Sequence, residues 1–133
     1  VGFGDVAAGM VQATNGDLTM HILFPHPAIL DFRDVVLAMV PFVRHAGVTI
    51  VANDDGVFVT AATKNIDVKF RIPNAAAIRT GNVRVNIFNL RDILKERIMR
   101  TAKNSQLTVA VTGKTHVDLS IGGRSWKLDR QAE

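Results

Sequence analysis

The chain has 133 residues, a length that suits one domain with a real core, and its 47% hydrophobic content excludes disorder. No apolar run approaches the ~20 residues of a membrane helix, and with no cysteine there is no disulfide framework, thiolate nucleophile or Cys-ligated metal, which fits a reducing, intracellular setting (cytoplasm, nucleoid or nucleus). The net charge of +4 is divided sharply, −4 over residues 1–63 (Arg33 and Arg44 against six acids) and +8 over residues 64–133, and such a basic half attracts polyanions, nucleic acid first.

Residues 1–15, opening "VGFGDVAAG", read as an N-terminal extension or an extra strand. They lack the basic start and long apolar stretch of a signal peptide, and the Lys-Ser/Thr of a phosphate loop. After the turn signal Asn15-Gly16, "GDLTMHILF" predicts a strand ending at Phe24. "DFRDVVLAMVPFVRHAG" carries Val35, Val36, Met39 and Val40 at helical spacing. Asp31 is the expected N-cap, with Asp34 reaching back in capping-box fashion. Gly47 suits the stop, and Pro41 should kink the helix or end it early. "VTIVAN", the turn "DDG" and "VFVTAA" predict a hairpin. "IDVKFRIP" alternates, with Val68, Phe70 and Ile72 facing one way and Lys69 and Arg71 the other. "NAAAIRTGN" reads as a loop.

The same order of parts then begins again. "VRVNIF" is an alternating strand with Val83, Val85 and Ile87 on one face. "NLRDILKERIMRTAKN" predicts one helix capped by Asn89, with Leu90, Ile93, Leu94 and Ile98 as its buried stripe. "LTVAV" and "HVDLSI" form a second hairpin, and "RSWKLD" follows a Gly-Gly turn as the last strand. The words "DFRDVV" and "NLRDIL" start 58 residues apart and read as two helix starts. The expected architecture is α+β: two β-α-β-β-β units, about 16–73 and 81–129, related by pseudo-twofold symmetry in a single domain over 16–133.

This arrangement resembles one domain of the DNA sliding clamps, the bacterial polymerase III beta subunit and proliferating-cell nuclear antigen. "NVRVNIFNLRDILKERI" looks like the clamp strand that runs straight into a helix, and "LTVAVTGKTHVDLSIGGRSWKL" is similar to the bacterial hairpin followed by Gly123, Arg124, Ser125, Trp126 and Leu128. "VTIVANDDGVFVTAATKNIDVKFRIP" matches the first-half counterpart, and the likeness spans about residues 17–128. The resemblance implies two helices on one face of curved antiparallel sheets, in a ring of about six domains closed through unpaired strand edges. It implies a processivity factor that encircles duplex DNA and tethers a DNA polymerase or other replication enzyme, a homo-oligomer without enzymatic activity, cofactor or membrane contact. Known clamps carry two or three such domains per chain, whereas the residues here make one. The alternative is an oligomeric scaffold of the same fold that does not touch DNA.

The resemblance also implies sequence-independent phosphate contacts from the helices. The second helix offers Arg91, Lys95, Arg97, Arg100 and Lys103; the first offers Arg33 and Arg44. On one regular helix Arg91 and Lys95 share a flank and Arg100 and Lys103 the other, while Arg97 falls in the apolar arc and must snorkel. Other candidates reduce to structure. His21, His26, His45 and His116 form no metal-binding spacing, Asp54-Asp55 spell a hairpin turn, and Ser105, Ser120 and Ser125 lack a nucleophile elbow.

Overall fold

The structure is a computed structural model that describes residues 18–43, 47–65 and 67–131. Its elements are β1 (Met20–Phe24), α1 (His26–Met39), β2 (Gly47–Asn53), β3 (Gly56–Ala62), β4 (Asp67–Arg71), β5 (Ala76–Arg79), β6 (Gly81–Asn86), α2 (Ile87–Leu94), α3 (Ile98–Thr101), β7 (Leu107–Val111), β8 (His116–Ile121) and β9 (Arg124–Asp129). All strand pairs are antiparallel. Sheet I runs β9-β8-β7-β1-β5 and sheet II runs β4-β3-β2-β6. The expected N-terminal extension and residues 44–46 lie outside the described residues.

The strand order exposes the repeat. The first strand of each half pairs with the hairpin of the other: β1 joins β7, and β6 joins β2. Registers agree residue by residue. Phe24 faces Leu107 as Val85 faces Val48, and Ser120 sits between Thr108 and Ser125 as Thr60 sits between Thr49 and Lys69. Even the exits correspond. After β4 the chain crosses to β1 as β5; after β9, Arg130 bridges Val85 and the Gln131 N–H donates to the Arg84 carbonyl on β6. Where the two first strands meet, Gly81 allows the approach, because a Cβ there would lie 2.6 Å from the Thr19 carbonyl oxygen.

One contiguous core fills the space between helices and inner sheet faces. Alternation places Val48, Ile50 and Ala52 of β2, Val57, Val59 and Ala61 of β3, and Val109, Val117 and Leu119 of the second hairpin in it. Phe24 at the end of β1 stacks on Phe32 of α1, ring centroids 4.6 Å apart and planes 6° from parallel, which pins helix to strand. Phe70 shares the face of Val68 and Ile72 by alternation, yet it stays 41% exposed because β4 is an edge strand of sheet II.

The helix starts differ from expectation. Pro25 is the N-cap of α1, so Asp31 lies inside the helix; Pro27 sits in the first turn, where a missing N–H costs nothing. The core demands this extra turn, since Ala28 and Ile29 are both buried. Asn86, and not Asn89, caps α2: its Oδ1 accepts the N–H groups of Phe88 at 2.9 Å and Asn89 at 3.0 Å. The repeated words are therefore equivalent mid-helix stretches rather than starts. Across the same 58-residue offset, Ile29 and Ile87, Phe32 and Leu90, and Val36 and Leu94 are all buried.

Three further expectations change. Helix α1 ends at Met39 ahead of Pro41, as the proline requires, but Gly47 opens β2 rather than stopping the helix. The long second helix is broken at Lys95–Arg97 into α2 and α3. A regular helix would carry Arg97 into the apolar arc; the break turns Arg97 outward and brings Met99 into the core. Residues 76–79, expected as loop, form β5 on β1, because a sheet edge there supplies the pairing that alanine's weak strand preference does not announce.

Two measurements test this. Asn86→Ala should cost about 1 kcal/mol in chemical denaturation, whereas Asp31→Ala and Asn89→Ala should stay within about 0.5 kcal/mol of the parent. Burial on β1 also holds the His21 imidazole below its ordinary value of 6.5. The unfolded chain then takes up the proton first, so His21 contributes no penalty above about pH 6.5 and stability falls as pH drops through and below that value. His21→Gln should flatten that loss between pH 7.5 and 5, read from denaturation midpoints.

Candidate nucleic-acid interface

The helices form one layer in which α1 packs against α2 and α3. At their junction the His26 imidazole Nε2 lies 3.1 Å from the Arg100 carbonyl, joining the start of α1 to α3. Arg33 and Arg91 occupy equivalent places, but only Arg91 is hydrogen-bonded to its neighbour, and Arg33 Nε is buried without a hydrogen-bond partner. Their side chains are 27% and 30% exposed, and each pairs with the aspartate that follows it: Arg33 to Asp34 at 3.9 Å, Arg91 to Asp92 at 2.9 Å. Arg91 also lies over the Phe88 ring, 5.1 Å from its centroid.

The remaining helix cations are different. Lys95, Arg97, Arg100 and Lys103 are all exposed, spread from the end of α2 through α3 into the following turn. The nearest acids are engaged elsewhere. Asp92 accepts from Arg91, and Glu96 receives Arg124 of β9 at 3.2 Å. Among the described residues no acid pairs with any of the four. The result is a cationic segment on the outside of the helix layer, able to meet phosphates without breaking an existing pair. The break at Lys95–Arg97 also removes the two-flank arrangement expected of one regular helix, and Arg97 has no need to snorkel. Arg44 lies outside the described residues.

Sequence reasoning missed features that depend on pairing between distant strands. Arg124, which is drawn to Glu96, also lies 5.1 Å from the Trp126 ring centroid. Arg124 also lines an open cleft of about 420 Å³ on sheet I, together with Gln106, Thr108, Ser120, Ile121, Ser125 and the Gly122-Gly123 turn. At the end of β8 and β9 the Thr115 hydroxyl lies 2.8 Å from His116 Nδ1, and His116 Nε2 lies 3.5 Å from Asp129. This Thr-His-Asp chain is open to water, Asp129 being 91% exposed, and none of its residues lines the cleft. Asp54 and Asp55 form the expected turn, the Asp55 N–H donating to Asn53 Oδ1 at 2.8 Å. Among the described residues there is no group of three or more His, Cys, Asp or Glu arranged for a metal, and no helix long and apolar enough to cross a membrane.

Comparison of structures gives the class. The chain overlays a subunit of DNA polymerase III, the beta subunit from Pseudomonas aeruginosa, with a TM-score of 0.68 at 18% identity, covering 85% of this chain and 30% of that one. The DNA polymerase sliding clamp from Bacillus subtilis gives 0.67 at 18% identity over 85% and 31%. The PCNA2-PCNA3 complex from Sulfolobus tokodaii gives 0.64 at 14% identity over 86% and 47%. No family model matches the sequence, and no curated protein does. The chain thus carries the sliding-clamp domain fold, an α+β arrangement of two antiparallel sheets and their helices. It spans less than a third of the bacterial clamps and about half of the archaeal chain.

Proposed function

We propose that this chain supplies one domain of a ring that encircles duplex DNA and tethers a DNA polymerase or another replication enzyme, without itself being an enzyme. The observation that carries this reading is a clamp-type helix layer whose exposed cations, Lys95, Arg97, Arg100 and Lys103, have no acidic partners among the described residues. In the proposal these four meet phosphates. Arg33 and Arg91 contribute mainly to structure, and Arg44 completes the proposed set. Phosphate contact of this kind carries no sequence information and leaves the ring able to slide.

Ring closure would use the domain's two ends. Strands β4 and β9 each form one edge of sheets II and I, and they are equivalent under the repeat. A contact of β4 on one copy with β9 on the next is head-to-tail, the type that makes rings. About six domains would close one, so light scattering at tens of micromolar should give a discrete oligomer near six copies of this chain. A clean monomer would count against self-assembly.

Charge reversal at Lys95, Arg97, Arg100 and Lys103 should weaken binding to duplex DNA without moving the unfolding midpoint. Each lost phosphate contact should flatten the slope of log K against log salt by about 0.9, equally for any sequence. On loaded DNA, the parent should be retained on closed circles and lost from linear molecules; equal retention on both would refute a ring.

A further inference from the structure

The two sheets are built to one plan, yet their outer faces differ in chemistry. On sheet II, strand pairing puts Arg84, Thr49, Thr60 and Lys69 in one row pointing away from the core, with Val51, Phe58 and Arg71 in the next. At about 4.8 Å per strand, Arg84 and Lys69 stand roughly 14 Å apart, with hydroxyls between them. Lys69 Nζ rests over the Phe58 ring, 4.4 Å from its centroid, and Arg84 Nε is buried without a hydrogen-bond partner. The sole acid at an outward position on these four strands is Asp67, at the far corner opposite Ala62.

Sheet I provides the internal comparison. Where sheet II has Arg84 and Lys69, the equivalent positions are Leu23 and Ser125, and where it has Phe58 the equivalent is Asp118. The fold therefore accepts a neutral or acidic side chain at all three places. Arg71 has a basic counterpart in Lys127, so what belongs to this face alone is the aromatic ring and the cations at Arg84 and Lys69.

We propose that the outer face of sheet II binds single-stranded nucleic acid. Arg84, Lys69 and Arg71 take phosphates, and a base stacks on Phe58 as the Lys69 ammonium moves from the ring to the backbone. A flexible strand can lay a base on the ring while its phosphates reach cations on both sides. A duplex keeps its bases stacked inside and cannot do this. An acidic peptide would satisfy the cations but would draw nothing specific from the ring. This site is separate from the helix layer, so it stands whether or not the chain forms a ring.

The experiment is fluorescence anisotropy of a labelled oligothymidine, about 12 nucleotides long, with the full chain at low salt. Phe58→Leu keeps apolar volume and removes the stacking face; it should weaken binding about five- to a hundredfold, the range measured for loss of one base–aromatic stack. The pair Lys69→Glu and Arg71→Glu, on exposed side chains, should abolish most binding and flatten its salt dependence, with unfolding midpoints as the control for folding. Arg100→Glu with Lys103→Glu should reduce duplex affinity by a larger factor than oligothymidine affinity, and Phe58→Leu the reverse, which separates this site from the helix layer. No binding at low salt, or binding indifferent to both Phe58→Leu and the paired sheet reversal, would overturn the proposal. So would equal competition by a polyglutamate peptide, which would mark the face as an acidic-peptide site.

Discussion

The first strand of each half is hydrogen-bonded to the hairpin of the other half, so neither sheet is complete until both halves are in place. A lone β-α-β-β-β unit would leave the inner edge of its hairpin unpaired and the apolar face of its first strand without a sheet to join. Unpaired edges and uncovered apolar surface are both costly, and the exchange removes both at once. It also makes the contacts long-range, joining β1 near the start of the described chain to β7 more than eighty residues later. Cooperative folding of the whole follows from that wiring. The close approach of Gly81 to Thr19 lies where the exchanged strands pass, which is why a side chain is excluded there.

Symmetry of this kind fixes positions and leaves chemistry to vary. The halves share their buried helical stripe and the arginine-aspartate pair on its flank. They diverge at the surface. Helix α1 gains a proline-initiated turn, and its one described arginine, Arg33, is paired with Asp34. The second half breaks its helix and turns four cations outward. On the sheets the asymmetry reverses: the face rich in cations is sheet II, which borrows Arg84 from the second half through β6. The sequence-wide division of charge is thus redistributed by the strand exchange, and the fold places basic residues both on the helix layer and on one sheet.

The legible parts were those whose periodicity is written in side chains. Alternating aliphatics announced the two hairpins and their following strands, and the repeated order of parts announced the two-unit architecture. Local chemistry misplaces the helix starts for a definite reason. Asp31 and Asn89 are good caps by local chemistry, but Ala28, Ile29 and Ile87 must be helical for the core to close, and that demand is tertiary. Strand β5 was hidden because Ala76 and Ala77 acquire their structure from the β1 edge. The helix cations could be counted but not aimed, since one break between Lys95 and Arg97 rotates everything after it. The sheet faces were beyond reach. Nothing in the spacing of Phe58, Lys69 and Arg84 says that they share a surface until the registers of four strands are known.

The outer edges show what the fold leaves unfinished. Phe70 on β4 and Trp126 on β9 occupy equivalent positions, facing Val59 and Leu119 on their neighbouring strands. Trp126 is partly buried against the core, whereas Phe70 remains substantially exposed at its edge. Both strands also carry lysine and arginine, the usual defence of an open edge against chance pairing. Two copies meeting β4 to β4 about Lys69 would set that lysine against its own copy, a like-charge contact, with Asp67 opposite Arg71 on either side. A β4-to-β9 contact sets Lys69 and Arg71 against a strand that carries Arg124, Lys127 and Asp129, and it leaves the opposite edge of every copy open, so it propagates. A propagating contact makes a fibre unless its rotation closes. For this chain to act as a ring, the curvature of the sheets must set that rotation, because the two edges carry the same balance of charge and fix neither partner nor angle.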